Sequence, residues 1–463
     1  MASIVVCGAG VIGLSAAAML ADDGHTVTVL ESDGEVRAAA QAWTSWRRPG
    51  VAQFRQPHNL FARFRRVADA ELPGLTDELA AAGCAWVDPV AARPPSITDF
   101  EPRDSDDVLR FVTGRRPVVE AVVAAHAQAK PGVTVRRGVR VHSLVTGRSI
   151  ASGVPHVTGV RTDDGERIPA ELVVDASGRR SPAERWLSGI NATPPVVEAG
   201  DRGFVYYTRY FTGAQRPVRK AAGLTAIGSF SILTLDGDND TWSITLYGLS
   251  NDTELKAARD PAAFDRVLGA CPRHAHWLDG TAVSDVIAMA GILDRYRRFV
   301  VDGRPVATGF VAIGDAWACT NPSAGRGLST GLVHAQVLRR VVREYADDPL
   351  ALVLAMDEDT EQHVTPFVRT QAAADRDRVT EMAAARDGRG VRRMMSDMDR
   401  LQIAASYRAD AFRGMLDIIN CMAFVPEVLA RPEVKQAIAD LDDAPPPPKL
   451  GPDRAELLAL LAG

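Results

Sequence analysis

Residues 305–336 read PVATGFVAIGDAWACTNPSAGRGLSTGLVHAQ, and this stretch answers a motif at the other end of the chain. Val311 to Ile313 is a short apolar run, read as a buried strand. Gly314 and Asp315 follow at its carboxyl end, where α/β sheets present ligands. An Asp in that place can hold a polyol hydroxyl. Pro322, Gly325 and Gly327 then let bare backbone approach a flat ring. The apolar helix that begins near Leu328 turns its N-terminus, with free N–H groups and partial positive charge, toward the same place.

The answering motif is SIVVCGAGVIGLSAAAML, residues 3–20. Ile4 to Cys7 suit a buried parallel strand. Gly8 permits a tight turn, Gly10 lets backbone approach a pyrophosphate, and Gly13 lets the helix from Leu14 to Leu20 pack close on the strand. Val27 to Leu30 form a second strand ending in Glu31, whose carboxylate can accept hydrogen bonds from ribose hydroxyls and repels a 2′-phosphate. Strand, glycines, helix, strand and acid stand in register. The first segment suits adenosine and pyrophosphate and the second a polyol chain and ring, so the pair points to FAD.

The chain has 463 residues, enough for two or three domains. Its 46% hydrophobic and 24% charged content is that of a globular protein. A net charge of −5 and the lack of a long basic run speak against nucleic acid as a partner. Only five of the 53 basic residues are Lys, a bias of composition and not of phosphate binding. Cys7, Cys84, Cys271, Cys319 and Cys421 are odd in number and widely spaced, with no disulfide framework or zinc spacing. The expected compartment is a reducing cytoplasm. No apolar run is long enough for a membrane span, and the apolar N-terminus, without a basic start and interrupted by the glycine loop, does not read as a signal peptide.

Along the chain, Arg115-Arg116-Pro117 open an amphipathic helix with Pro near its first turn. Short strands follow at Val133 to Val135, Val139 to Val145, Val157 to Thr162 and Arg167 to Ile168, ending in Glu171-Leu-Val-Val-Asp-Ala-Ser-Gly178. After about Trp186 the pattern becomes β-rich, with strands at Tyr206 to Phe211, Gly228 to Leu235 and Thr241 to Leu249. The expected division is a discontinuous nucleotide domain (1–185 and 296–346), an inserted β-rich substrate domain (186–295) and a helical C-terminal region (347–463). The proline run 445–448 reads as a stiff connector.

The segments Gly8 to Gly13 with Glu31, Asp175-Ala-Ser-Gly178, and Gly314-Asp315 through Gly327 together resemble the FAD-dependent class A monooxygenase superfamily, which has a p-hydroxybenzoate-hydroxylase-like fold. Flavin halogenases and geranylgeranyl-reductase-like enzymes are related to it. The resemblance covers about residues 1–340. It implies an α/β fold: an FAD-binding Rossmann-like (glutathione-reductase-type) domain, an inserted β-sheet substrate domain and a helical C-terminal region. It also implies that Glu31 binds the adenosine ribose and Asp315 the ribityl chain. Arg116 would contact the phosphate or ribityl region, the Val141 backbone would lie beside the adenine, and Asp175 would end the strand facing the pyrophosphate.

The activity implied is insertion of one oxygen from O2 into a cyclic or aromatic small molecule by way of a flavin C4a-hydroperoxide. NADPH or NADH would supply electrons, directly or through a separate flavin reductase, to a monomer or homodimer. The departures bear on that activity. Asp175-Ala176-Ser177-Gly178 replaces the hydroxylases' Ala-Asp-Gly, and Trp317-Ala318 replaces their Ala-His. Arg326 stands where Gln is usual. The first of these favours, as the alternative, a reductase or dehydrogenase acting on a C=C or C–N bond. No Trp-x-Trp-x-Ile-Pro motif occurs and no Lys precedes Lys130, both against a halogenase.

For the reacting end, the segment Arg47 to His58 offers Arg55 as a fixed cation and His58 as a proton carrier near neutral pH. The plainer alternative has Arg55 on phosphate and His58 capping local backbone. Tyr206, Tyr207, Tyr210 and Phe211 alternate through a predicted strand, so one face can line an aromatic pocket. His274 and His276 lack the carboxylates of a metal site, and no metal is expected.

Overall fold

A computed structural model of the chain describes residues 1–200, 202–389, 395–440 and 449–463; the proline run 445–448 lies outside them. A five-stranded parallel sheet runs in the order Phe310–Ala312, Leu172–Asp175, Ser3–Cys7, Thr26–Glu31, Val133–Arg137. Its three central strands are mostly apolar and largely buried, because helices cover both faces. Val11–Asp22 packs between the helices Arg116–Gln128 and Gly327–Tyr345. The register explains why three distant motifs act together. Cys7 pairs with Asp175 and with Leu30, and Asp175 pairs with Ala312. The strands therefore end on one line, and the glycine loop, the Asp-Ala-Ser-Gly turn and the Gly314 turn leave the sheet side by side.

The inserted unit is a second, antiparallel sheet. Leu224–Ile227, Phe230–Asp236, Thr241–Leu249 and Phe204–Thr212 lie in that order, with Thr281–Ala282 and Ile287–Met289 along the outer edge. Alternation sorts its aromatics. Val205, Tyr207 and Phe211 face a core shared with the helices Pro261–Gly269 and Arg454–Ala462, while Tyr206 packs with Tyr247, Met289 and Ile292 on the opposite face. The hairpin tip turns at Asn239 and Asp240, both in the left-handed region (φ +49° and +54°). This places Asp238, fully buried, against Arg115, whose Nε and Nη2 donate to it at 2.9 and 2.6 Å. That bidentate pair fixes the insert on the nucleotide domain.

A small sheet of Val196–Ala199, Arg295–Arg298 and Ala318–Cys319 joins the two units where the chain leaves and re-enters. The helices of the expected C-terminal region pack in four places. Pro349–His363 packs on Gly327–Tyr345. Thr365–Arg386 crosses onto the insert, where Arg378 donates to the Gly228 and Phe230 carbonyls. The helices from Asp397 to Ala439 bury their apolar stripes on Val90, Ile97 and Leu109, and Arg454–Ala462 closes the back of the inserted sheet. An amphipathic stripe shows that a helix needs an apolar partner without saying which one.

Candidate active site

A cleft of about 540 Å³ runs from the glycine loop, past the Gly314 turn, to the front face of the inserted sheet. At its start the three glycines are needed for three reasons. Gly8 has φ +111°, and a Cβ there would lie 2.5 Å from the Ala176 carbonyl oxygen. A Cβ on Gly13 would lie 2.1 Å from the Gly8 oxygen. Around Gly10 nothing comes within 4 Å of a Cβ position; the space it leaves is the cleft itself, at the N-terminus of Val11–Asp22. That is the cradle a pyrophosphate requires.

Glu31 closes this end, but not as a free carboxylate. Its Oε2 accepts from the Ala9 N–H at 2.9 Å and from Arg48; its Oε1 accepts from the Asp33 N–H at 2.9 Å and the Ser32 hydroxyl at 3.2 Å. A ribose hydroxyl that bonds Glu31 must displace one of these, and the Ser32 contact is the longest. Arg48 also donates to Asp33 at 2.9 Å and to Glu120 at 2.6 Å. Glu120, 1% exposed, accepts as well from Arg116 Nε at 2.6 Å. Burial opposes ionisation of Glu120, yet the Arg116 and Arg48 charges outweigh it and hold its pKa below the ordinary value. They do the reverse for Arg48, whose pKa rises against burial because Glu120 and Glu31 flank it.

His58 belongs to the same network. Its Nδ1 lies 2.9 Å from the Gln56 carbonyl and its Nε2 3.0 Å from Arg116 Nη1. The carbonyl only accepts and the guanidinium only donates, so the ring is neutral with its proton on Nδ1. Burial and then the Arg116 charge press its pKa down to about 3. His58 lines the cleft, yet both its nitrogens are engaged. Arg55 points elsewhere: its guanidinium donates to the Trp43 and Trp46 carbonyls and stacks over Trp43, 4.6 Å from the ring centroid. It is not among the cleft's lining residues.

At the far end the position is different. Asp315 follows the strand Phe310–Ala312, lines the cleft, and has no hydrogen-bond or ion-pair partner among the described residues. Burial raises its pKa, against the pull of Arg116 and Arg179. Pro322, Gly325 (φ +69°) and Gly327 line the cleft beside it, at the N-terminus of Gly327–Tyr345. Gly314, at φ +59°, donates its N–H to His334 Nδ1 at 3.2 Å, so the helix behind the turn fixes the turn. Asp175 is fully buried and accepts from the Ser177 and Ser181 hydroxyls; its carboxylate shapes the middle turn and does not line the cleft. Val141 does line it.

The roof comes from the insert: Tyr206, Leu233, Thr245, Met289 and Ile292. Gln56 Oε1 accepts from Thr208 at 2.6 Å, and Thr208 lies 2.7 Å from the Thr245 hydroxyl. The Tyr206 hydroxyl donates to Asn321 Oδ1. Sequence reasoning missed Arg48, Glu120, His334 and Asp375. Asp375, from the crossing helix, accepts from the Ser323 hydroxyl and from Gln371 at 3.0 Å. Burial raises its carboxyl to about 7. An acidic residue inside an otherwise apolar helix, such as Glu120 in PVVEAVVAAHA, was a signal that went unused.

Comparison with known proteins agrees with this geometry. Residues 3–90 match the family of FAD dependent oxidoreductases. Protein Rv3254 of Mycobacterium tuberculosis is 28% identical over 366 residues, 73% of this chain and 72% of its own length. Among solved structures, PqsL of Pseudomonas aeruginosa in complex with 2-aminobenzoylacetate has a TM-score of 0.61 at 17% identity, over 82% of this chain and 98% of its own. OxyS anhydrotetracycline hydroxylase from Streptomyces rimosus has a TM-score of 0.58 at 17% identity, over 91% and 76%. The flavin-dependent brominase Bmp2 has 0.61 at 14%, over 95% and 98%. Residues 3–90 thus resemble FAD dependent oxidoreductases, and the chain as a whole shares the fold of these solved structures. No helix among the described residues is long and apolar enough to cross a membrane.

Proposed function

We propose that this enzyme is a monooxygenase that inserts one atom of O2 into an organic, cyclic or aromatic small molecule held between the Gly314–Gly327 turn and the inserted sheet. The observation that carries the reading is the cleft itself. Open backbone at Gly10, the unpartnered carboxylate of Asp315 and the glycines of the second turn fit FAD in a single orientation, and its far end opens onto an apolar sheet face. FAD, when bound, would supply the redox chemistry: two electrons from NADPH or NADH, taken directly or through a separate reductase, reduce O2 so that one oxygen enters substrate and the other leaves as water.

The chain's own residues do the rest. The N–H groups after Gly10 hold pyrophosphate, Glu31 takes ribose, Arg116 lies along the phosphate or ribityl region, and Asp315 anchors the ribityl hydroxyls. The N-terminus of Gly327–Tyr345 favours negative charge on the ring. Tyr206, Leu233, Met289 and Ile292 exclude water and hold the body of the substrate. His58 orients Arg116; with both nitrogens engaged and its pKa held to about 3, it does not ferry protons near neutral pH. PqsL in complex with 2-aminobenzoylacetate supports a small organic substrate.

The test is aerobic turnover of FAD-loaded protein on a panel of cyclic and aromatic compounds, with NADPH, NADH or reduced flavin supplied. Oxygen uptake matched by oxygenated product is expected; uptake without such product across the panel contradicts the reading. The Asp175–Ser177–Ser181 turn, built on the reductase-like Asp-Ala-Ser-Gly, favours a second reading, action on a C=C or C–N bond. Anaerobic turnover with stoichiometric flavin oxidation or reduction by substrate would select it.

A further inference from the structure

Arginines in the cleft differ in what already holds them. Arg48 meets three carboxylates, Arg116 meets Glu120 and His58, and Arg140 lies 3.8 Å from Asp163. Arg179, directly after the Asp-Ala-Ser-Gly turn, lines the cleft with no carboxylate within ion-pair distance among the described residues. Its Nη1 donates to the Gly291 carbonyl at 3.1 Å, so the side chain reaches from the nucleotide domain across to the insert. Its Nε is buried without a partner. Arg180 and Arg185 also line the cleft, but both are exposed and neither bonds to the insert.

Position separates Arg179 from a phosphate ligand. Its charge acts on Asp315 and on Cys319, both at the ring end, and Gly291 adjoins Ile292 in the roof. The other roof groups carry no charge, and their polar atoms bond one another: Gln56 to Thr208, Thr208 to Thr245, Tyr206 to Asn321. A ligand body lying under Tyr206, Met289 and Ile292 would meet one cation with hydrogen bonds to give. A buried guanidinium N–H left unpaired is unfavourable, and a carboxylate supplies the acceptor that relieves it.

We propose that Arg179 is the specificity-determining cation of this cleft and selects substrates that are organic acids, taking their carboxylate or ionised oxygen. The inference rests on the reading of the cleft as the place where substrate meets flavin. A neutral molecule of the same shape leaves the Arg179 donors unmet, and discrimination of this kind exceeds what an apolar wall can achieve.

The test titrates FAD-loaded protein with 2-naphthoate and with its uncharged isostere 2-naphthamide, followed by the visible spectrum of the bound oxidised flavin. The acid is expected to bind about tenfold or more tightly than the amide, the gain of a charge-assisted hydrogen bond. Arg179→Gln brings the ratio to about one, with FAD content and amide affinity unchanged, and Arg179→Lys keeps part of the preference. A wild-type ratio near one, an unchanged ratio in Arg179→Gln, or loss of FAD in step with loss of acid binding overturns the proposal. The readout needs no turnover, so an acid preference without oxygenated product counts against the monooxygenase reading alone.

Discussion

At the adenosine end of the cleft Glu31, Asp33, Arg48, Glu120, Arg116 and His58 form one continuous network in which the charges satisfy each other inside the protein. At the ring end Asp315 and Arg179 face the cleft with bonding capacity unused. The first arrangement makes a rigid wall whose shape does not wait for a ligand. The second is unfavourable until something binds, and it is where the proposed recognition falls. Sequence motifs alone would rank Glu31 and Asp315 as equivalent anchors; Glu31 already accepts from four donors of the protein, whereas Asp315 has no partner among the described residues.

The largest effect should come from breaking the wall. Glu120→Ala leaves Arg48 and Arg116 buried against each other and should lower unfolding free energy by about 3–5 kcal/mol in urea titrations. A loss under about 1 kcal/mol would show that the network does not carry that end of the fold. Asp315→Ala is the counterpart. It should cost the FAD-free protein no stability, since it removes a desolvated carboxylate, while weakening FAD retention about ten- to hundredfold. Flavin absorbance per protein after gel filtration and the melting of the stripped protein measure the two halves.

The two ends should also respond to pH with opposite sign. His58 has its pKa held at about 3 against an ordinary 6.5. Its contribution is fully present above pH 6.5 and is lost as pH falls toward 3, because the unfolded chain takes up the proton first. Asp375 has its carboxyl raised to about 7 from 3.8, so stability falls as pH rises between those values and is level above. Each group changes the slope of stability against pH by at most about 1.4 kcal/mol per unit. His58→Gln should flatten the acid limb and Asp375→Asn the limb between pH 4.5 and 6.5, as denaturant midpoints across pH would reveal. The smallest effect belongs to Arg55→Gln. It should cost about 1 kcal/mol through the lost Trp43 stack and carbonyl bonds while leaving turnover at the wild-type rate.

Much of the fold was legible because it is written locally. The glycine loop, Glu31, the Asp175 turn and the Gly314–Gly327 turn each announce a strand end, and parallel register brings strand ends together. Alternation in the inserted strands foretold that Tyr206 and Tyr207 face opposite ways, though not which of them roofs the cleft. What was not legible depends on long-range packing. Arg48 reaches Glu120 across 72 residues, Asp375 meets Ser323 from a helix whose pattern names no partner, and Arg55 stacks on Trp43 instead of entering the cleft. Such contacts are chosen by the assembled core and leave no periodic trace.

Isotopic labelling distinguishes oxygen transfer at the ring end of this cleft from every other fate of O2. FAD-loaded protein turning over an organic acid under 18O2 in ordinary water, with product read by mass spectrometry, should yield product carrying one heavy oxygen. Product with oxygen drawn from water, or turnover in which all the 18O2 ends as hydrogen peroxide, would contradict it.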